Sequence, residues 1–179
     1  MEIDNRAVLL GDELKKVIKP GSKIEIAAAT FSMYAFHELK CELGQIDEMK
    51  FIFNSPTFLT DETKREAREY IIPKAERERS VFGHRYELKL LNELNQKAIA
   101  KECADWIKKK VKFKSINVMD EEISNGMKIF NRDGSEFAVD RFQSFDCKEL
   151  GYEPSRFIKR RNLYEAPLSE RYLTEFNDY

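Results

Sequence analysis

The sequence predicts an α/β domain built on a mixed, mainly parallel β-sheet flanked by helices. Helical and strand periodicities alternate from Ala7 to Phe53, which is the pattern of a β-α-β unit. A later Asp133-Gly134 turn joins two short strand-like runs, which is the signature of an antiparallel hairpin. The third observation is bulk. Of 179 residues 42% are hydrophobic, including 13 Phe and 7 Tyr, enough aromatic mass for one packed core in a chain of ordinary single-domain length.

The first helix is expected where Ala7, Leu10, Leu14, Val17 and Ile18 recur at helical spacing, with Asp4 or Asn5 as its cap and Pro20-Gly21 as its stop. From Lys23 to Thr30, Ile24, Ile26 and Ala28 alternate along a strand, with small residues between them for close packing on the other face. Met33, Phe36, Leu39 and Leu43 mark a second helix closed at Gly44, and Met49–Phe53 forms a second strand ended by Asn54-Ser55-Pro56. Two strands joined through a helix should lie parallel and adjacent.

The run Asp61–Ser80 is densely charged and broken at Pro73, and reads as a solvated helical excursion. Leu91, Leu94, Ala98, Cys103 and Ile107 give Tyr86–Lys110 an apolar stripe, as one helix or two meeting near Asn95. Strands are expected at Val111–Val118, Gly126–Phe130, Glu136–Phe142 and Arg161–Ala166, the last after a polar connection containing Pro154. A helix is expected from Leu168. The final RYLTEFNDY is helical in pattern with no cap signal, so residues 1–179 are expected to be a single domain cut from a longer chain.

Charge names no partner: charged residues reach 35%, but 31 Lys+Arg nearly cancel 32 Asp+Glu. Three cysteines at wide spacing, Cys41, Cys103 and Cys147, with no CxxC pair and only two histidines, make a structural zinc site improbable. No cofactor is expected, because no GxxxxGK[ST], GxGxxG or GxSxG segment occurs. The acidic opening lacks the basic start of a signal peptide, and no apolar run approaches the roughly 18 residues of a membrane span. A reducing, cytoplasmic setting without a membrane partner is the expectation.

The segment from Gly126 to Asp133 has the spacing x-x-Lys-x4-Asp, on a strand entering a hairpin. Together with IEIAAATFSMYAFHELKCELGQIDEMKFIFN and CADWIKKKVKFKSI, it resembles the phospholipase-D-like domains at the N-terminus of bacterial Snf2-type helicases, which carry His-x-Lys-x4-Asp at this place. Lys128 and Asp133 keep the motif's lysine and aspartate, but Gly126 stands where the family has its histidine. Downstream, AVDRFQSFDCKELGY resembles the family's small-polar loop and following Leu-Gly, with Arg141, Phe142, Gln143 and Ser144 in place of Gly-Ser-Ser-Asn. The resemblance implies a phospholipase-D-like fold whose chemistry is imidazole attack on phosphorus, with a second imidazole, often from a dimer partner, protonating the leaving oxygen. With no imidazole at position 126 the nucleophile is missing, and the lysine is left to grip a phosphate without cleaving the diester.

His37 lies in the second predicted helix beside Phe36 and is expected to be an ordinary, partly buried residue. His84 follows Gly83 in an irregular stretch and reads as a surface histidine. Two basic clusters remain. Lys108, Lys109 and Lys110 end a helix, and Lys110, Lys112 and Lys114 alternate with Val111 and Phe113 along the next strand. Arg156, Lys159, Arg160 and Arg161 interleave with Phe157 and Ile158. Both are candidate phosphate contacts, and lysines on a strand also serve to block edge-to-edge aggregation.

The expected function is a non-catalytic phospholipase-D-like accessory domain that engages DNA, RNA or a protein partner, with helicase domains beyond the C-terminus and a homodimer as a candidate assembly. An active phosphodiesterase of the same fold would need a histidine brought close to Lys128. A protein-interaction or dimerisation domain without phosphate affinity would show its basic residues scattered.

Overall fold

The protein is described here by a computed structural model covering residues 1–54, 59–60, 70–71, 96–115, 123–153, 160–174 and 176. In chain order its elements are β1 (Glu2–Ile3), α1 (Leu10–Val17), β2 (Lys23–Ala28), α2 (Met33–Glu38), α3 (Lys40–Leu43), β3 (Glu48–Phe53), β4 (Leu59–Thr60), β5 (Tyr70–Ile71), α4 (Gln96–Lys110), β6 (Val111–Ser115), β7 (Gly126–Phe130), β8 (Glu136–Asp140), α5 (Cys147–Leu150), β9 (Arg161–Glu165) and a 3-10 turn at Leu168–Arg171.

Seven strands form one mixed sheet in the order β1-β9-β8-β7-β2-β3-β6, while β4 and β5 pair only with each other. The β2-α2-α3-β3 unit is as the sequence predicts, with β2 and β3 parallel and Ile26 opposite Phe51. β6 adds in parallel on the other side of β3. The expectation of a mainly parallel sheet is corrected, because β2–β7, β7–β8, β8–β9 and β9–β1 all run antiparallel. At the hairpin a short connection causes this: the turn after Phe130 leaves no length for a crossover, so β8 must return antiparallel beside β7.

Strand alternation divides the sheet into two unlike faces. Ile24, Ile26, Met49, Phe51, Met127, Ile129 and Val139 point to one side, where they share a single core with Leu10, Leu14, Phe36, Leu43, Trp106 and Leu150 of the five described helices. Those helices flank the sheet on this side. Rings dominate this core: Phe31 stacks on Phe145 at 5.2 Å and meets Phe51 edge-on at 5.7 Å, and Trp106 lies 4.7 Å from Phe36. Each such side chain contributes about 1.5–3 kcal/mol by leaving water. The Trp106 Nε1–H donates to the Leu43 carbonyl at 2.8 Å, so its polar edge is satisfied inside the core.

Element ends follow local chemistry. The expected cap of the first helix is corrected, because Leu9 is the N-cap of α1 and makes no side-chain cap hydrogen bond, while Asp4 and Asn5 order the turn before it. The Asp4 carboxylate accepts from the N–H groups of Arg6, Ala7 and Val8, and Asn5 Oδ1 accepts from Leu10 N–H at 3.0 Å, so α1 begins at Leu10. The predicted second helix is bent at Leu39, whose φ of −107° and ψ of 15° divide it into α2 and α3 while Leu39 and Leu43 both stay buried. The hairpin turn closes through Asn131 N–H to the Ser135 carbonyl, with Gly134 at φ +84°. Asn131 also donates to the Val17 carbonyl at 3.0 Å, fastening the hairpin to the end of α1. β8 stops at Asp140 because Arg141 turns into the left-handed region at φ +52°.

The helix expected from Leu168 is a 3-10 turn, after which Leu173 (φ +51°) redirects the chain. The reason is packing: Leu173 and Phe176 settle with Ala27, Ile52 and Ile123 into a small apolar cluster on the second face of the sheet. The charged run Asp61–Ser80, apart from Tyr70-Ile71, lies outside the described residues, as do Tyr86–Asn95, Ile116–Val118 and Pro154.

One ion pair is buried outright. Arg161 of β9, 3% exposed, contacts the Glu149 carboxylate of α5, 0% exposed, through Nη2. The same carboxylate accepts the Gln143 N–H at 3.1 Å, and the Glu149 carbonyl accepts from Asn5 Nδ2 at 3.0 Å. Removing one member leaves a charge stranded in the core, so Arg161→Ala is expected to lower unfolding stability by about 3–5 kcal/mol in urea titrations. Arg161→Met with Glu149→Leu should lose less than either single change, because no lone charge remains. Thiol reactivity tests the packing separately. Cys41 is exposed while Cys103 and Cys147 are buried, and burial pushes the Cys103 thiol up to about 12. An aromatic disulfide reagent should find one fast thiol in the native protein and three after denaturation.

Candidate functional site

The residues singled out by the motif fall on β7 and its hairpin, but they do not converge. Gly126 opens β7 in a buried position opposite Asp140. A side chain beginning there would meet the Val139 carbonyl at 3.4 Å and Leu173 at 3.5 Å. These are ordinary van der Waals distances, so a Cβ fits there and the C-terminal segment borders the position. Lys128 projects onto the second face of the sheet, 8% exposed, with Nζ 2.9 Å from Glu136 Oε1 and 5.0 Å from the centre of the Phe130 ring. Asp133 sits exposed in the turn, where Lys19 Nζ and Ser135 Oγ approach its carboxylate at 2.5 and 2.6 Å. The Lys19 ammonium, then Ser135, hold the Asp133 carboxyl well below the usual carboxylate range. Lys128 and Asp133 therefore have separate partners and share none.

A polar ladder crosses the second face. Register aligns Lys128 of β7 with Glu25 of β2, Lys50 of β3 and Lys112 of β6. Lys50 lies 3.3 Å from Glu25, and Lys112 pairs with Glu48, whose carboxyl it holds low. Most of this row is neutralised within itself. Glu25, Glu48 and Glu136 went unnoticed in the sequence reading, although the hairpin turn fixes a register that sets Glu136 diagonal to Lys128.

The first basic cluster is divided by the end of α4. Lys110 turns inward, its Nζ donating to the Ile46 carbonyl at 2.8 Å. Lys112 and Lys114 stand exposed on β6, which is the edge of the sheet among the described residues, beside the exposed Lys108 and Lys109. Phe113 between them remains 38% exposed. Among the described residues Lys108, Lys109 and Lys114 have no acidic partner, and they form the free positive charge at this edge.

The second basic cluster is not one surface patch. Arg161 is in the core against Glu149, which corrects its reading as a phosphate contact, and Arg160 is exposed 3.4 Å from Glu2. Arg156 and Lys159 lie outside the described residues. β9 and β6 are also five strand spacings apart, about 24 Å at the usual ~4.8 Å per strand. The two clusters do not share a site with Lys128.

His37 is exposed on α2, not partly buried as expected, and belongs to the helical side of the sheet, away from Lys128. His84 lies outside the described residues. Among the described residues no group of His, Cys, Asp and Glu could hold a metal ion, and no helix is long and apolar enough to cross a membrane. No protein-family model matches the chain, and no curated protein matches it. The class that fold and site define is an α/β domain with a mixed seven-stranded sheet flanked by helices, in which, among the described residues, a neutralised polar ladder crosses one face.

Restoring the motif histidine alone should fail. Gly126→His adds a ring beside Leu173, which already lies 3.5 Å from where its Cβ would sit, and overpacking of this kind costs about 1–3 kcal/mol. The variant is expected to unfold at lower urea than the native chain and to show no turnover of a chromogenic phosphodiester, since Lys128 remains bound to Glu136.

Proposed function

We propose that the chain is a non-catalytic phospholipase-D-like accessory domain of a helicase-like protein, and that it engages nucleic acid through the β6 edge. What carries the reading is that edge: among the described residues Lys108, Lys109 and Lys114 are exposed there without an acidic partner and Phe113 is 38% exposed, whereas the lysine of the motif is buried against Glu136. Free ammonium groups neutralise phosphates and release counterions, and an exposed ring offers a stacking surface for a base. The absence of catalysis follows from Gly126, which supplies no imidazole where the motif has its nucleophile. The helicase context comes from the resemblance of the sequence, and the motor would lie in other domains.

A second reading is favoured by the same edge. β6 has one hydrogen-bonded neighbour among the described residues, and a second copy could extend the sheet there to give a homodimer. Sedimentation distinguishes it, since the dimer would persist at high salt while phosphate binding would not.

The test is titration of fluorescent single- and double-stranded oligonucleotides across a series of salt concentrations. Binding should be weak, indifferent to sequence and weaker as salt rises. Lys109→Glu with Lys114→Glu should weaken it and flatten the logarithmic salt slope by about two units, one per lost phosphate contact. Lys128→Gln should leave it unchanged. No binding at low salt, or loss of binding only in Lys128→Gln, would reject this reading.

A further inference from the structure

Phe113 of the edge strand β6 ends a run of touching rings. The run passes from Trp106 to Phe31 at 6.4 Å and from Phe31 to Phe113 at 5.4 Å, and Phe51 and Phe53 close on Phe113 at 5.7 and 5.5 Å. All of these neighbours are buried, whereas Phe113 keeps 38% of its surface in water. Among the described residues no other aromatic side chain is so exposed. Its ring is held by its neighbours, so little side-chain freedom remains to be lost when a ligand covers it.

Strand alternation sends Phe113 to the helical side of β6 and Lys112 and Lys114 to the other. On that other side a cavity of about 300 Å³ lies where β3 meets β6, lined by the buried Ile52 and Phe176 and by Lys50, Lys112 and Lys114. Lys50 is paired with Glu25 and Lys112 with Glu48, which leaves Lys114 as the lysine of the cavity without an acidic partner among the described residues. An exposed ring and an apolar recess thus flank one strand that carries uncompensated positive charge. A ligand that suits both has flat apolar surface and negative charge along one flexible chain.

We propose that the β6 edge selects single-stranded nucleic acid over duplex, with bases covering Phe113 and entering the cavity and with phosphates at Lys109 and Lys114. The inference rests on the nucleic-acid reading of this edge and names the form of nucleic acid it takes. Base faces are the apolar surface of a nucleic acid, and a duplex hides them in its own stack, so only an unpaired strand can lay them on protein rings. Phosphates are present in both forms and give no such preference. An unpaired strand can also pass from one side of the edge to the other, which a stiff duplex cannot.

Fluorescence anisotropy on the whole chain tests this with a labelled oligothymidylate, a hairpin duplex with the same number of phosphates and an abasic strand with the same number. The oligothymidylate should bind about tenfold or more tightly than the other two, the fold-change of one base–ring stack. Phe113→Leu should bring its affinity close to that of the duplex while leaving duplex binding and its salt slope unchanged, and Phe113→Trp should keep the preference. Because Phe113 touches Phe31, Phe51 and Phe53, the leucine substitution could loosen the fold. The abasic comparison needs no variant and decides the matter on the native chain. Equal affinity for all three ligands overturns the proposal and leaves phosphate binding at the edge standing. No binding of any of them at low salt rejects both readings. A dimer that persists at high salt and dissociates in Phe113→Leu makes the ring a contact between copies of the chain, and likewise overturns it.

Discussion

A carboxylate and a guanidinium both lose several kcal/mol of hydration when they leave water, and they remain charged in a core only if each finds the other. Glu149 and Arg161 meet under that constraint, and the edges of the domain depend on it. Arg161 belongs to β9, beyond the hairpin, and Glu149 to the short α5, whose N-cap Asp146 accepts the Glu149 N–H at 2.7 Å. Through Gln143 the pair fixes the loop leaving β8, and through Asn5 it fixes the approach to α1. Gly151 at φ +89° lets Asn5 come this close, for a side chain beginning there would lie 2.8 Å from the Asn5 amide. Asn5 in turn accepts the first N–H of α1. One buried charge pair thus holds the first residues, the end of the hairpin and the last strand in a single arrangement.

The central strands depend on apolar alternation, and that alternation decides where chemistry is available. β2, β3 and β7 send isoleucine, methionine and phenylalanine to the helices, so their other side chains must face the second side of the sheet. There Lys128, Glu25, Lys50, Lys112, Glu48 and Glu136 lie close enough to neutralise one another. A lysine committed to a glutamate 2.9 Å away is a poor phosphate ligand, because binding a new anion first requires breaking that pair. Among the described residues of this ladder, charge remains available where the ladder runs out, at the edge strand and the last turn of α4.

Much of this was legible in the sequence. The period-two pattern of Ile24, Ile26 and Ala28 and the helix to Gly44 located β2 and β3 and their parallel pairing, and the Asp-Gly turn located β7 and β8 to the residue at three of their four ends. What stayed hidden depends on distance in sequence. No local pattern says that Arg161 should pair with Glu149 in the core when Arg160 beside it is exposed, since both sit in one basic run. Nor does the terminal helical pattern reveal that Leu173 and Phe176 would leave helix to cover Ala27 and Ile52, where burial of a small apolar patch outweighs helix propensity. The missed glutamates were within reach, because the turn that defines the hairpin also fixes which residue faces Lys128.

The central claim is that the motif strand is closed and the working surface is the β6 edge. Amide chemical shifts recorded during titration with a short single-stranded oligonucleotide address it directly. The account predicts that resonances of Lys108–Ser115 move in a salt-sensitive manner while those of Met127–Ile129 stay fixed. Shifts centred on Met127–Ile129, with β6 unaffected, would contradict it and return the phosphate to Lys128.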